Sequence, residues 1–377
     1  MSLFPVPGPQ TGRGATQSPP PRFRPVRLEP DLAALAAAQA AALAAEDAAL
    51  APRHPATQVL PDTARSVLSH NQSPDVFFDR SLNPYRGCEH GCIYCYARPT
   101  HAYLDLSPGL DFETRLFAKH EAPALLRAAL ARPGYRCLPI TLGANTDAYQ
   151  PLERELRITR GVLEVLHECR HPLTVITKGS LVTRDIDLLA PLAAARRAAV
   201  FISLTTLDDR LKRSLEPRAA AGAARLRTIR ELSAAGIPVV ALLAPIIPAV
   251  NDHELEDLVA AAAEAGARAA SWQLVRLPLE VAPLFRDWLQ QHLPLRARHV
   301  MSVLQQMRGG RDNDPRFGQR MRGEGPYAQL LARRFAVAVQ RHGLGERAAV
   351  LDLDCSGFLP PVFSGSSPEA GAQLPLW

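Results

Sequence analysis

The chain has 377 residues, 47% of them hydrophobic and 21% charged, the proportions of a soluble globular protein with ample material for a core in one large domain or two ordinary ones. The alanine-rich run 31–51 is interrupted by Gln39, Glu46 and Asp47 and is too weakly apolar to span a bilayer, so no membrane partner is expected. The net charge of +6 rests almost wholly on arginine, because the lysines are Lys119, Lys178 and Lys212 alone.

Residues 1 to about 30 are rich in Pro and Gly and carry Arg13, Arg22, Arg24 and Arg27 with no acid before Glu29, which predicts an extended or disordered arm without a signal peptide. From Asp31, placed as an N-cap, to about Leu50, Ala and Leu at helical density predict a peripheral helix, and arm and helix together make a first region, 1–56. The texture changes near Thr57. Short apolar runs rich in β-branched residues then alternate with Ala/Leu/Arg segments of helical period, the pattern of strand–helix units around a parallel sheet.

Strands are predicted at 138–142, 173–177, 200–204, 239–243 and 271–275, with helices at 152–168, 186–194, 223–235 and 254–265. One more strand ahead of residue 87 brings the total to about six. The expected fold class is α/β over 57–278: six strand–helix units can form a partial (β/α)6 TIM-like barrel with its ligand at the carboxyl ends of the strands, the core that the family resemblance given below also implies. The extension 279–377 reads as helical, then Gly- and Arg-rich, then helical again from Tyr327 to Arg341. Its last residues, Gln373 to Trp377, form an apolar cluster expected to pack back onto the barrel. Between Arg296 and Arg347 eleven arginines stand against four acidic residues. This basic stretch suits either a nucleic-acid backbone or a loop closing the open side of the barrel.

Chemistry concentrates in the run Gly87-Cys88-Glu89-His90-Gly91-Cys92-Ile93-Tyr94-Cys95-Tyr96. Three thiolates spaced Cys-x3-Cys-x2-Cys on one loop can hold three irons of a [4Fe-4S] cluster, leaving a fourth iron open to bind another molecule. A structural zinc set usually comes as two Cys-x2-Cys pairs, and the chain has no second pair. His90 is expected to face solvent or substrate rather than to ligate metal. Cys137, Cys169 and Cys355 are isolated, which favours a reducing cytoplasm over a disulfide framework. After the second barrel strand comes a dense polar run, Asn145-Thr146-Asp147-Ala148-Tyr149-Gln150-Pro151-Leu152-Glu153, where a parallel sheet presents side chains to a ligand, although the same residues make ordinary turns and caps. The proline-rich loop 244–252 is apolar enough to flank a flat ring, with Asn251 able to hydrogen-bond nearby.

With its aromatic Tyr94 before the third cysteine, the loop resembles the radical S-adenosylmethionine superfamily over roughly Ser81 to Leu277. The run Thr146-Asp147, Gln150-Pro151 and Glu153, with Thr177-Lys178 and Ser203 at the next strand ends, resembles the spore photoproduct lyase-like branch, often labelled DNA repair photolyases. The resemblance implies that Cys88, Cys92 and Cys95 hold the cluster and that its open iron takes the amino and carboxylate groups of S-adenosylmethionine. It also implies that Tyr94 lies beside the adenine. Asn145, Thr146 and Asp147 replace a Gly-Gly-Glu-like motif that holds the methionine amino group, and Lys178 and Ser203 stand where the carboxylate and ribose are bound. A reductant of the flavodoxin or ferredoxin type is implied as partner, and a 5'-deoxyadenosyl radical as the agent of hydrogen abstraction. One departure is plain. In spore photoproduct lyase a cysteine at the end of the second strand supplies a hydrogen atom, whereas the matching position here is close to Ala144 and no cysteine occupies 143–147. Thymine-dimer repair is therefore not the expected reaction.

The expected function is a radical enzyme that reductively cleaves S-adenosylmethionine, with nucleic acid as the first substrate class to test. Alternatives are a non-catalytic iron–sulfur or zinc protein that binds nucleic acid or senses redox state, and a radical enzyme acting on a peptide or small metabolite. No sequence feature sets an oligomeric state.

Overall fold

The computed structural model describes residues 12–23 and 56–361; the predicted N-terminal helix at 31–50 and the terminal cluster 373–377 lie outside them. Among the described residues ten strands form two sheets. The larger runs β2 (Leu68–His70), β3 (Arg80–Leu82), β6 (Ile140–Leu142), β7 (Leu173–Thr177), β8 (Ala198–Ser203), β9 (Val239–Ile246) and β10 (Ala269–Leu274), adjacent in that order and parallel from β3 onward, with β2 antiparallel at the edge. The smaller sheet pairs β5 (Arg115–Ala118) with β1 (Gln58–Pro61) and β4 (Tyr85–Arg86). The six parallel strands are the one expected before the cysteines and the five named from the sequence.

Side-chain alternation explains why the strands read as nearly continuous apolar runs. Val200, Ile202, Val239, Ala241 and Leu243 face the main core, into which the helices also bury. Ala199, Phe201, Val240, Leu242 and Ala269 face the other way, against Phe77, Val350 and Leu351. Both faces of the sheet are covered, as parallel sheets require. Phe77 stacks on Phe201 with ring centroids 4.7 Å apart, so the loop between β2 and β3 fills the second face.

The helices α1 (Ala122–Leu130), α2 (Ile158–Glu168), α3 (Ile186–Ala194), α4 (Gly222–Ala234) and α5 (Leu255–Glu264) connect the strands. The single helix expected at 152–168 is interrupted at Arg157, whose φ of 51° is left-handed. Its cause is the buried Glu153, whose carboxylate accepts the N–H groups of Thr159 (2.9 Å) and Arg160 (3.3 Å) and so caps α2 from within the preceding turn. Beyond β10 come α6 (Val281–His292), α7 (Ala297–Gln306), α8 (Gly325–Arg341) and a last short helix, α9 (Arg347–Val350). The segment between α7 and α8 lies against the β10 edge, where the Leu274 N–H donates to the Met321 carbonyl at 2.9 Å.

The N-terminal segment departs from expectation. Over 12–23 it is a packed strap rather than a disordered arm: Ala15 is fully buried, and the N–H groups of Gly14 and Ala15 donate to the Glu113 carboxylate at 2.9 and 2.8 Å. Composition signals disorder here, but Gly14 is what permits the packing. A β-carbon at this position would collide with the Gly91 carbonyl in the cysteine loop.

Candidate active site

The cysteine loop leaves β4 and is held from several sides through its backbone. Arg98, with no solvent exposure, donates from Nε to the Cys92 carbonyl (2.9 Å), from one terminal nitrogen to Gly109 (2.9 Å) and from the other to Gly91 (3.2 Å), and pairs with the equally buried Glu113 at 2.5 Å. The Cys88 N–H donates to Phe112 and the Ile93 N–H to Leu215. Gln150, also fully buried, accepts the Glu89 N–H at 2.9 Å and donates to the Gly87 carbonyl at 3.3 Å.

All six described cysteines are free. Burial pushes the Cys92 thiol up to about 12 and that of Cys88 well above its ordinary value, with Asp147 and the other two thiols adding to the latter; Lys178 opposes the rise at Cys92. Burial also raises Cys95, against the pull of Arg98.

A cavity of about 420 Å³ opens beside the loop, and Cys88, Cys92 and Cys95 line it together with Tyr94, Asn145, Asp147, Lys178 and Ser203. Strands β6, β7 and β8 deliver the last four at their carboxyl ends. Gly143 makes the first of these exits possible: its φ is +80°, and a β-carbon there would strike the Ile176 carbonyl of β7.

The structure gathers eight of the ten residues selected from the sequence and leaves two behind the wall. Thr146 is buried and donates to the Tyr85 carbonyl at 2.7 Å. Asn251, fully buried, accepts the Ile247 N–H at 2.6 Å and donates to the carbonyls of Thr205 and Pro245, so its hydrogen bonds shape the loop after β9. Both orient main chain and neither lines the cavity.

Asp147 lines the cavity but is heavily engaged. Its oxygens accept from the Thr177 hydroxyl (2.6 Å), the Lys178 N–H (2.7 Å) and the Tyr149 N–H (2.8 Å), and lie 3.3 Å from His90 Nδ1. Burial raises its carboxyl, but His90 and these hydrogen bonds outweigh that and hold it at about 2. His90 is thus buried against a carboxylate and lines the cavity, so of the two expected surroundings it faces the candidate substrate space and not solvent. Glu216 shows the same balance: it is fully buried, and Arg225, Lys178 and a hydrogen bond from the Tyr94 hydroxyl overcome burial to hold it at about 2. The Tyr94 ring is fixed by that bond, with Lys178 Nζ 6.0 Å from its centroid. Arg218 reaches away from the cavity, to Glu89 at 3.0 Å.

Sequence reasoning missed a further stretch of the cavity wall, where Asp75, Phe77, Arg276, Arg320 and Arg347 join Tyr96, the residue after Cys95. These residues come from separate parts of the chain and form no motif. The signal was the surplus of arginine between 296 and 347, which covers Arg320 and Arg347 but not Arg276; of these, Arg320 turns inward in the segment that closes the β10 edge.

Among the described residues no three His, Cys, Asp or Glu side chains are grouped to hold a single metal ion, and no described helix is long and apolar enough to cross a membrane. Residues 82–262 match the family model of the Radical SAM superfamily. An uncharacterized protein of Mycobacterium tuberculosis is 37% identical over 219 residues, 58% of this chain and 64% of that protein. One of Methanocaldococcus jannaschii is 28% identical over 173 residues, 46% of this chain and 62% of that one. The chain thus spans a little under two thirds of the length of these relatives. Spore photoproduct lyase complexed with dinucleoside spore photoproduct superposes with a TM-score of 0.53 at 14% identity, covering 75% of this chain and 79% of that one. A mutant of that enzyme with bound AdoMet and the same dinucleoside gives 0.53 as well, over 75% and 78%. At this identity the likeness is one of fold.

Proposed function

On the premise that residues 82–262 form a radical SAM domain, we propose that the protein is an enzyme that reductively cleaves S-adenosylmethionine at a [4Fe-4S] cluster and abstracts a hydrogen atom from its substrate. When bound, cluster and cofactor together supply the one-electron cleavage of a carbon–sulfur bond. One observation carries the reading: three free thiols from a single loop line the same cavity as Lys178, Asn145 and Ser203. Three soft donors without a fourth cysteine on the cavity wall fit a cluster with one open iron.

Cys88, Cys92 and Cys95 would hold the cluster. Their raised pKa values mean that ligation displaces protons, and the loop backbone, fixed by Arg98 and Gln150, holds the sulfur-bearing turns in place while this happens. Lys178 would meet the cofactor carboxylate, Asn145 its amino group, Ser203 its ribose and Tyr94 the adenine side. Asp147 aims Lys178 by holding its backbone N–H, and Thr146 and Asn251 shape the walls from behind. The electron would come from a flavodoxin- or ferredoxin-type partner, and the free cysteines agree with a reducing compartment such as the cytoplasm. Ala144, not a cysteine, lines the cavity after β6, so the hydrogen returned to a product would have another source than in spore photoproduct lyase.

The test is anaerobic reconstitution with iron and sulfide, followed by dithionite reduction with S-adenosylmethionine and assay of 5'-deoxyadenosine. Product is expected from the natural chain and none from Cys88→Ala, Cys92→Ala or Cys95→Ala. Zinc in place of iron in the purified protein, or equal product from the alanine variants, would sink the proposal.

A further inference from the structure

One stretch of the cavity wall is positively charged and short of counterions. Arg276, Arg320 and Arg347 line it, and the one carboxylate beside them is that of Asp75. Asp75 is already committed: one oxygen accepts from Arg320 Nε and the other from the Gly318 N–H at 2.6 Å. Arg320 is further engaged with the Ser73 hydroxyl. Arg276 and Arg347 form no ion pair among the described residues.

Their surroundings make this costly. The Nε of Arg276 is buried without a hydrogen-bond partner, and its guanidinium carbon sits 5.6 Å from the centroid of the Tyr96 ring. Arg347 lies over Phe77 at 5.4 Å and has a single long hydrogen bond, 3.3 Å, to the Ser271 hydroxyl. Two more arginines stand close behind. Arg308, with 1% exposure, donates to the Val275 carbonyl, and Arg322 covers the Trp272 ring at 4.6 Å. Burial holds both down at about 10, with Arg276 adding to the effect at Arg308 and Arg347 at Arg322. Guanidinium groups do not give up their protons at neutral pH, so like charges gathered in a half-dry cavity call for an anion to face them.

We propose that Arg276 and Arg347 bind a phosphate group of the substrate. A guanidinium fork matches a phosphate in charge and in bidentate geometry, and a phosphate carries more charge and more acceptor oxygens than a carboxylate with which to answer two unpaired arginines on one cavity wall. The anion belongs to the substrate, because the single carboxylate of S-adenosylmethionine is matched by Lys178 at the thiol end; to that extent the inference rests on the reading of that end as the cofactor end. The aromatic faces of Phe77 and Tyr96 carry the two cations, and Arg320 with Asp75 forms a neutral buttress behind them. A phosphomonoester of a small metabolite or nucleotide and the phosphodiester of a nucleic-acid strand both present this chemistry.

The experiment is isothermal titration calorimetry of the full-length, cluster-reconstituted chain with methyl phosphate, dimethyl phosphate and acetate. Methyl phosphate or dimethyl phosphate is expected to bind, the former indicating a monoester substrate and the latter a phosphodiester. Affinity should fall about tenfold or more in Arg276→Gln and in Arg347→Gln, return in part in Arg276→Lys, and hold in Arg311→Gln, whose side chain is exposed. Far-UV circular dichroism of each variant establishes that it is folded, and with two independent positions a misfolded one does not remove the test. Equal affinity in both folded glutamine variants, acetate binding as tightly as the phosphates, or no phosphate binding to the natural chain would overturn the inference. The same titration on Cys88→Ala separates the two readings. Phosphate binding with no 5'-deoxyadenosine from the natural chain overturns the cofactor reading alone, and 5'-deoxyadenosine without phosphate binding overturns this one alone.

Discussion

The two ends of one cavity are built in opposite ways. Around the thiols, three buried polar side chains are saturated by the protein itself: Asp147 by Thr177, Lys178 and Tyr149, Gln150 by the cysteine loop, Glu216 by Arg225, Thr205 and Tyr94. At the arginine end, Arg276 and Arg347 are left without carboxylates. A group whose hydrogen bonds are all made within the chain serves the fold, and removing it exposes unsatisfied partners; a buried cation left waiting serves a ligand. Location on a cavity wall does not separate these two kinds of residue. Their partners do.

The largest effect expected from this contrast lies at Arg98, which is saturated, wholly buried and not itself part of the cavity wall. Arg98→Met leaves Glu113 charged in the interior and frees the carbonyls of Gly91, Cys92 and Gly109. A loss of about 3–5 kcal/mol in unfolding free energy is expected from breaking such a pair, measured by guanidinium denaturation of the cluster-free chain, together with poor cluster retention after reconstitution. Wild-type stability in this variant would show that the buttress of the cysteine loop lies elsewhere, and the comparison would break at its saturated end.

How much of this was legible in the sequence differs between the same two ends. The six parallel strands and the three thiols were legible because both are local patterns: apolar runs bounded by turns, and ligands within eight residues. The identity of the polar cluster after β6 was legible too, but its role was not, since Asp147 and Gln150 reveal that they brace the loop only when His90, Thr177 and Glu89 are brought beside them. Arg276, Arg320 and Arg347 were illegible as a group because they meet only when the segment after α7 folds back along β10. The strap at 12–23 was misread for a related reason. Its Pro- and Gly-rich composition signals an unpacked chain, while the Gly14–Gly91 approach that uses this composition is a long-range contact.

A third place, at the amino ends of the strands and far from either chemistry, sharpens the comparison by showing what saturation alone does. His171 is fully buried just before β7, its Nδ1 2.9 Å from the Pro172 carbonyl and its Nε2 2.9 Å from the Tyr135 hydroxyl. A carbonyl only accepts, so Nδ1 carries the proton and Nε2 accepts from Tyr135. Burial accordingly lowers this histidine to about 4. The folded value lies below the unfolded one, about 6.5, so the stabilisation is complete above pH 6.5, is lost as pH falls from there, and is gone below about 4. About 3 kcal/mol should disappear over that window in the natural chain, and His171→Gln should flatten that part of the profile when unfolding midpoints are compared at pH 7 and pH 5. An unchanged slope in the variant would assign the acid sensitivity to other groups.

The smallest expected effect on the fold, and the sharpest discriminator between the two kinds of cavity residue, belongs to Lys178. Its backbone N–H is taken by Asp147, but its ammonium stands over the Tyr94 ring with Cys92 and Glu216 near it and reaches the cavity. If the ammonium serves the cofactor, Lys178→Gln should leave the unfolding midpoint within about 0.5 kcal/mol of the natural chain while weakening S-adenosylmethionine binding by about 1.5–3 kcal/mol, the worth of a hydrogen bond to a charged group. Calorimetric titration of the cofactor, set beside a denaturation curve of the same sample, reads both numbers. A loss of stability with cofactor affinity unchanged would move Lys178 into the class of Asp147 and Glu216, as a counter-charge that allows Glu216 to stay ionised beside the Tyr94 hydroxyl.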